Sequence, residues 1–370
     1  MNNINTIKAD MDVMTVHYDG QPIYDIVFQN DFSLLAQYME KLDIKERKIC
    51  VVTDSNVAPH YLNTVKGILN GQARKVTSFI MPAGECNKNL DTVKDLYEFL
   101  ILEHFERNDM LVALGGGVVG DLTGYTAATY LRGIDFVQIP TSLLAQVDSS
   151  IGGKTGVDFN SYKNMVGAFH QPKLVYINTA TLKTLRKREY FSGLGEVIKH
   201  GLIADASFYQ WLNDNKKEIK ELNQNVVREM IQRSCNIKRM VVEEDPKEKG
   251  RRALLNFGHT LGHAVEKLTG FAFLHGECVA VGSIMGAYLS RNRGYITQEE
   301  VDSIIAIFDY FAMPNIKNYN IDEVLKTVKL DKKMSAGQIK FILLESVGNA
   351  FICKDVTDDD MRTVLEEYHG

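Results

Sequence analysis

The chain carries two imidazoles four residues apart, in Phe257-Gly-His259-Thr-Leu-Gly-His263. On a helix that spacing puts both rings on one face. Thr260 stands where an H-E-x-x-H metallopeptidase has its glutamate, so the pair lacks the base that peptide hydrolysis needs. Two further segments add ligand chemistry: Gly195-Glu196-Val-Ile-Lys199-His200 and Leu274-His275-Gly276-Glu277. Two histidines and one carboxylate, with a position left open for substrate, form a zinc-type catalytic set. Spacing alone does not choose between His259 and His263, and His200 is a further rival.

A second kind of chemistry lies earlier in the chain. Leu114 is followed by Gly115-Gly-Gly-Val-Val-Gly120-Asp121, a G-x-G-x-x-G spacing between an apolar run and a helical pattern. Bare backbone there can approach a pyrophosphate, and the following helix offers unpaired N–H donors. The ribose-binding acid expected about 20 residues on does not stand out, because Asp135 comes too early after Gly120. Asp54, in Val52-Thr-Asp-Ser-Asn56, is the better candidate. Ser149-Ser-Ile-Gly-Gly-Lys154-Thr155 approaches a P-loop, but Asp148 occupies the place of its first glycine. A carboxylate there repels phosphates and argues against a nucleoside triphosphatase. What remains is a donor-rich loop with Lys154, and Lys163 and Asn164 nearby, suited to a phosphorylated small molecule.

Arg132, Lys199, Lys238, Arg252 and Lys332/Lys333 are the other cations of interest. Taken singly each reads as a surface charge, except Arg252. It leads through Ala253-Leu-Leu-Asn256 into the histidine helix, where a guanidinium can hold a substrate carboxylate bidentately.

These residues need a scaffold, and 370 residues suit two domains. With 45% hydrophobic and 24% charged residues the chain is globular in composition. A net charge of −5 argues against a nucleic-acid binder, without excluding an anionic substrate in one cationic cleft. Five scattered cysteines, with no C-x-x-C, suit reduced thiols. The absence of a signal-like start and of a long apolar run leads us to expect a soluble, cytoplasmic protein with no membrane partner.

Apolar runs at Met11–His17, Ile23–Phe28, Lys48–Thr53, Val76–Met81, Met110–Leu114 and Ile134–Ile139 read as strands, the first two as a hairpin. Helical patterns at Val57–Leu69 and Leu90–Phe105 alternate with them. Ten of the 28 glycines fall between Gly115 and Gly167, whereas the second half has few breakers and helical spacings. There Ile219, Leu222, Val226, Met230 and Ile237 mark one apolar face, and Gly193–Leu202, His259–Leu268 and Cys278–Leu289 read as helices. The expected architecture is an α/β, Rossmann-like nucleotide-binding domain over residues 1–180, followed by an all-α metal- and substrate-binding domain over residues 181–370.

Together these motifs resemble the 3-dehydroquinate synthase family. The likeness is carried by Gly115–Asp121, Arg132-Gly133, Pro140–Asp158, Lys163–Pro172, Gly195–Lys199 and Asn256–His259, and it runs from about Thr53 to the Asp331-Lys332-Lys333 stretch. The resemblance implies an NAD- and zinc- or cobalt-dependent enzyme of the shikimate pathway. Such an enzyme converts 3-deoxy-D-arabino-heptulosonate 7-phosphate to 3-dehydroquinate and phosphate. Transient oxidation acidifies a C–H for phosphate elimination; re-reduction, ring opening and aldol closure follow. Carried over by motif, the metal ligands are Glu196, His259 and His275, with His263 alongside as a substrate contact or proton carrier. The nucleotide side comprises Asp54, Asn56, Glu85, Lys88, Gly116, Gly117, Asp121, Thr141, Ser142, Leu144, Thr184 and Leu185, joined by Asp148, Lys154 and Lys163. The substrate side comprises Asp148, Lys154, Lys163, Asn164, Lys199, Lys238, Arg252 and Asn256, with Asp148, Lys154, Lys199 and His263 as the catalytic groups. Arg132 reaches the phosphate site of a neighbouring subunit in a homodimer. Ser142 replaces a threonine usual in the family, and His200 has no assigned role.

Rival readings are a sister sugar phosphate cyclase, such as 2-deoxy-scyllo-inosose synthase or a valiolone synthase, and a glycerol-dehydrogenase-like oxidoreductase. Arg252 leading into Asn256 favours a substrate with a carboxylate.

Overall fold

The computed structural model describes residues 12–160, 162–248, 250–270, 272–334 and 339–369, with backbone alone for 331–334. Met11, expected to open the first strand, and the side chains of Lys332 and Lys333 lie outside the described residues. The chain divides into two compact units, Met1–Leu185 with Val227–Arg239, and Arg186–Val226 with Met240–Gly370.

The first unit is built on a seven-stranded sheet. Its strands are β1 (Val13–Tyr18), β2 (Gln21–Gln29), β3 (Lys48–Asp54), β4 (Lys75–Met81), β5 (Met110–Gly115), β6 (Asp135–Pro140) and β9 (Leu174–Asn178). They lie in the order β1-β2-β9-β6-β5-β3-β4. Only β1 runs antiparallel to its neighbour. Asp19 (φ 50°) and Gly20 (φ 75°) form the two-residue turn that closes the β1–β2 hairpin. The helices are α1 (Leu35–Glu40), α2 (Ala58–Asn70), α3 (Leu90–Leu102) and α4 (Gly117–Thr129). Alternate strand residues serve opposite faces. Ile49, Val51, Val112 and Leu114 pack with Leu62 and Val65, while Cys50, Val52, Leu111 and Ala113 pack with Leu96 and Leu122. Burial on both faces explains why these strands read as unbroken apolar runs.

A second antiparallel hairpin, β7 (Lys154–Phe159) and β8 (Tyr162–Phe169), carries Lys154, Lys163 and Asn164, where the sequence predicts a donor-rich loop. Gly156 and Gly167 face one another there, and a Cβ on Gly167 would lie 2.4 Å from the Thr155 carbonyl oxygen. The glycines permit close strand contact rather than flexibility.

The second unit is helical: α5 (Lys187–Ala204), α6 (Ala206–Asp214), α7 (Lys216–Lys220), α8 (Gln224–Glu244), α9 (His259–Leu268), α10 (His275–Asn292), α11 (Gln298–Tyr310), α12 (Ile321–Met334) and α13 (Asp358–His369). Of α8, residues 227–239 cluster with the first unit. One hairpin, β10 (Phe341–Ser346) with β11 (Asn349–Cys353), accompanies these helices and was not expected from sequence. The apolar face read from Ile219 to Ile237 is split: α7 ends at Lys220, Leu222 turns to φ 58°, and Asn223 caps α8 by accepting from the Asn225 and Val226 amides. Helix α10 is buried almost all round, as befits the centre of a bundle. Among the described residues no helix is long and apolar enough to cross a membrane.

Candidate active site

Strand order locates a candidate nucleotide site within the first unit. From β3 the chain proceeds to β4 on one side, and from β5 to β6 on the other, so the order reverses between β3 and β5. Ligands of open α/β sheets bind at such a point, beyond the carboxyl ends of the strands. Asp54 ends β3, and Gly115 ends β5 immediately before α4. Gly116 takes the position before the first turn of α4, where a Cβ would lie 3.4 Å from Ser142 Oγ. A Cβ on Gly117 would lie 3.0 Å from Ser149 Oγ. Bare backbone at the head of a thirteen-residue helix is what an anionic ligand requires. Asp54 Oδ1 accepts from the Asn56 and Val57 amides at 2.8 and 3.0 Å, so this carboxylate shapes the turn as well. Thr141 is buried, Ser142 Oγ accepts from the Ala145 amide at 3.3 Å, and Leu144 follows.

A buried lysine gathers the next group. Lys88 Nζ lies 2.6 Å from Asp121 Oδ2 and 3.8 Å from Glu85 Oε1, and donates to Asn164 Oδ1 at 2.6 Å. Burial opposes charge on Lys88, but Asp121 and Glu85 outweigh it and raise its pKa; burial raises that of Asp121 against the pull of Lys88. Lys238, on α8, donates to the Asp148 backbone carbonyl at 2.5 Å and forms an ion pair with its carboxylate. Thr184 Oγ1 lies 2.6 Å from the Tyr61 hydroxyl, and Leu185 follows it. Lys154 is exposed at the start of β7, and Lys163 is half-buried on β8. Arg132 stands apart, exposed on a left-handed run of Leu131 (φ 50°), Arg132 (φ 70°) and Gly133 (φ 121°).

In the second unit, glycines let three helices approach closely. A Cβ on Gly195 of α5 would lie 2.3 Å from the Gly276 carbonyl oxygen of α10, and one on Gly276 would lie 1.8 Å from that of Ser192. Helix α9 meets α10 similarly, with Gly262 against Cys278 and Gly258 against Ser283. Arg188 binds Glu277 through Nε and Nη2 at 2.7 and 2.8 Å, clamping α5 to the head of α10.

This crossing brings Glu196, His259 and His275 together. Glu196 is fully buried; its Oε1 lies 3.4 Å from His275 Nε2 and 3.6 Å from His259 Nε2. His259 Nδ1 faces the Phe257 carbonyl oxygen at 3.1 Å, which turns its Nε2 towards Glu196. Lys199 forms an ion pair with Glu196 and donates to the Leu255 carbonyl at 2.6 Å. Burial alone would push Glu196 up, but Lys199 and the imidazoles hold it well below the usual carboxylate range. Burial and Lys199 push His259 well down, so it stays neutral. His275 moves the other way: burial is outweighed by Glu196 and Glu266, and its pKa is raised to about 9.

The donor set fits a divalent cation. Metal–ligand bonds of about 2.0–2.2 Å in a tetrahedron place neighbouring donors about 3.3–3.5 Å apart, and the two separations at Glu196 Oε1 are 3.4 and 3.6 Å. Both Glu196 oxygens are buried without a hydrogen-bond partner among the described residues, held by ion pairs alone. His263 joins the cluster, its ring 4.9 Å from that of His259 and 5.6 Å from that of His275; these three imidazoles also offer nitrogens within 4.8 Å of one another. His200 is buried on α5. Arg252 is buried, with Nη1 donating to the Pro246 carbonyl at 2.9 Å, and Asn256 is exposed just before Phe257. Glu266 and Arg188 escape sequence reading, and Glu277 enters it only within its ligand-bearing segment; the signal for Glu266 is its place at i+7 from His259 and i+3 from His263, on their helix face.

With this arrangement in view, the similarities to other proteins are specific. Residues 78–192 match the 3-dehydroquinate synthase N-terminal family model, and residues 193–334 match the C-terminal one. The chain belongs to the 3-dehydroquinate synthase family. Over 369 residues it is 42% identical to the 3-dehydroquinate synthase of Nitrosospira multiformis, covering 98% of this chain and 99% of that one. It is also 42% identical to that of Acetivibrio thermocellus, over 91% of this chain and 94% of the relative. Among solved structures it resembles the 2-epi-5-epi-valiolone synthase of Streptomyces hygroscopicus with NAD+ and Zn2+ bound, at TM-score 0.85 and 25% identity, covering 93% of this chain and 96% of that one.

Proposed function

We propose that this member of the 3-dehydroquinate synthase family converts 3-deoxy-D-arabino-heptulosonate 7-phosphate to 3-dehydroquinate and phosphate, as a carbon–oxygen lyase that uses NAD and a divalent metal, zinc or cobalt. The observation that carries this reading is the convergence of Glu196, His259 and His275 at the crossing of α5, α9 and α10. The near-complete overlap with relatives of that name supports it.

When bound, NAD supplies a hydride acceptor and the metal a Lewis acid that polarises the hydroxyl being oxidised. Glu196, His259 and His275 would hold the metal: a buried carboxylate kept ionised by Lys199 and a histidine kept neutral by burial are ready to donate. His263 lies beside them as a substrate contact or proton carrier. Gly116 and Gly117, at the head of α4, would leave room for the NAD pyrophosphate, and Asp54 and Asn56 would hold its ribose side. Lys88 ties Asp121 and Glu85, on the nucleotide side, to Asn164 on the substrate side. Lys238 fixes Asp148, and Lys238, Lys154 and Lys163 are the first unit's cations for a phosphorylated substrate; in the second unit Lys199 is the catalytic lysine beside Glu196. Thr141, Ser142, Leu144, Thr184 and Leu185 complete the nucleotide side; Arg252 and Asn256 hold the substrate carboxylate. Arg132 acts in a homodimer, where its exposed, left-handed turn presents it to a second copy of the chain. The enzyme works in the cytoplasm.

A phosphate-release assay with two substrates tests this reading. Release from the heptulosonate phosphate and none from glucose 6-phosphate is expected; release from glucose 6-phosphate alone makes the protein a sister cyclase.

A further inference from the structure

Glu266 is a buried acid that the functional reading does not use. It lies on α9 seven residues after His259 and three after His263, so all three side chains share one stripe of the helix. Its side chain is 5% exposed, and its Oε2 lies 4.0 Å from His275 Nδ1. The other nitrogen of that ring, Nε2, is 3.4 Å from Glu196 Oε1. The His275 imidazole therefore spans two carboxylates through opposite nitrogens, one on α5 and one on α9. His259 has a parallel arrangement, with its Nδ1 at 3.1 Å from the Phe257 carbonyl and its Nε2 towards Glu196.

We propose that Glu266 is a positioning residue for the metal centre: its carboxylate keeps the His275 proton on Nδ1 and fixes the ring so that Nε2 faces the ion. The inference rests on the reading of Glu196, His259 and His275 as ligands. Metal-bound histidines commonly donate their second N–H to an acceptor, and loss of that acceptor weakens binding about 10–100-fold. A backbone carbonyl stands behind His259, whereas a carboxylate stands behind His275, and a carboxylate partner makes an imidazole the more basic ligand. Helix α9 then contributes twice, through His259 as a ligand and through Glu266 as the support of a ligand on α10.

The experiment measures Co2+ affinity and the visible spectrum of the cobalt-loaded protein for the parent, Glu266→Gln, Glu266→Asp and His275→Ala, with NAD affinity as control. Glu266→Gln is expected to raise the Co2+ Kd about 10–100-fold, shift the cobalt bands and leave NAD affinity unchanged. Glu266→Asp, which keeps the charge but retracts it by one methylene, is expected to weaken Co2+ binding in the same direction. That variant carries the test if the glutamine variant does not fold. A Co2+ Kd within twofold of the parent in either folded Glu266 variant, while His275→Ala loses the metal, overturns the role of Glu266 alone. Undiminished Co2+ binding by His275→Ala removes the ligand reading and this proposal with it.

Discussion

The close crossing of α5 and α10 makes Gly276→Ala the most informative single change. A Cβ at that position would lie 1.8 Å from the Ser192 carbonyl oxygen and 2.7 Å from its carbonyl carbon. Ordinary carbon–oxygen contacts begin at about 3.3 Å, so one methyl must drive the helices about 1.5 Å apart. Ligand distances at a metal centre tolerate only about 0.2 Å. His275 is the adjacent residue, and Glu196 lies four residues after Ser192 on the opposed helix, so the displacement falls directly on two of the proposed ligands. Overpacking of this kind costs about 1–3 kcal/mol in stability. The metal affinity should fall more sharply, by about 100-fold or more, equivalent to about 2.7 kcal/mol. Zinc or cobalt titration by calorimetry or chelator competition measures the loss, and urea denaturation reports stability separately. Gly67→Ala on α2 is the control, because a Cβ there meets nothing within 4 Å; it should leave metal affinity unchanged. A folded Gly276→Ala protein that binds metal with parental affinity would refute the claim that this contact sets the ligand geometry.

The raised pKa of His275 fixes the sign of a pH effect: relative to 6.5 unfolded, charge on this ring stabilises the metal-free protein fully below about 6.5, and that contribution is lost as pH rises through about 9. The metal must displace this proton, so apparent affinity should rise about tenfold per unit between pH 7 and 9 and then level off; a flat profile over that interval contradicts the assignment. Lys88→Ala strands the largely buried Asp121 carboxylate and should cost about 3–5 kcal/mol in urea denaturation while weakening NAD binding; unchanged values of both would show the cluster to be dispensable. Gly116→Val places a branched side chain where backbone should approach the pyrophosphate, and a fluorescence titration should show NAD affinity reduced about tenfold or more, a cost of at least about 1.4 kcal/mol, with stability little altered. Equal NAD affinity would move the nucleotide away from the head of α4.

Much of this organisation is legible in the sequence because burial leaves a simple trace there. The run Lys48–Thr53 became Lys48–Asp54, and Met110–Leu114 became Met110–Gly115, since two-sided burial yields continuous apolar strands. The β7–β8 hairpin was concealed by Gly156 and Gly167, whose role as a close-packed pair depends on tertiary contact. Strand β9, five residues soon after Pro172 that are all buried, shows no alternation and is too short for its apolar run to stand out. The helix expected across Ile219–Ile237 divides at Leu222, where apolar spacing continues through a turn that Asn223 terminates and caps. Within the site, i,i+4 spacing correctly put His259 and His263 on one face, but it could not say which of them meets a carboxylate 63 residues earlier. That depends on where Gly195 and Gly276 allow α5 and α10 to cross, a fact of packing that helical periodicity does not encode.

In the proposed reaction, hydride leaves and returns within one turnover while phosphate departs and a carbocycle closes. Incubation with 3-deoxy-D-arabino-heptulosonate 7-phosphate, divalent metal and NAD+ well below the substrate concentration tests it, with phosphate, 3-dehydroquinate and absorbance at the NADH band followed together. One phosphate and one 3-dehydroquinate per substrate consumed, with no net NADH, is the predicted result. NADH accumulating with turnover, or phosphate released without 3-dehydroquinate, would contradict it.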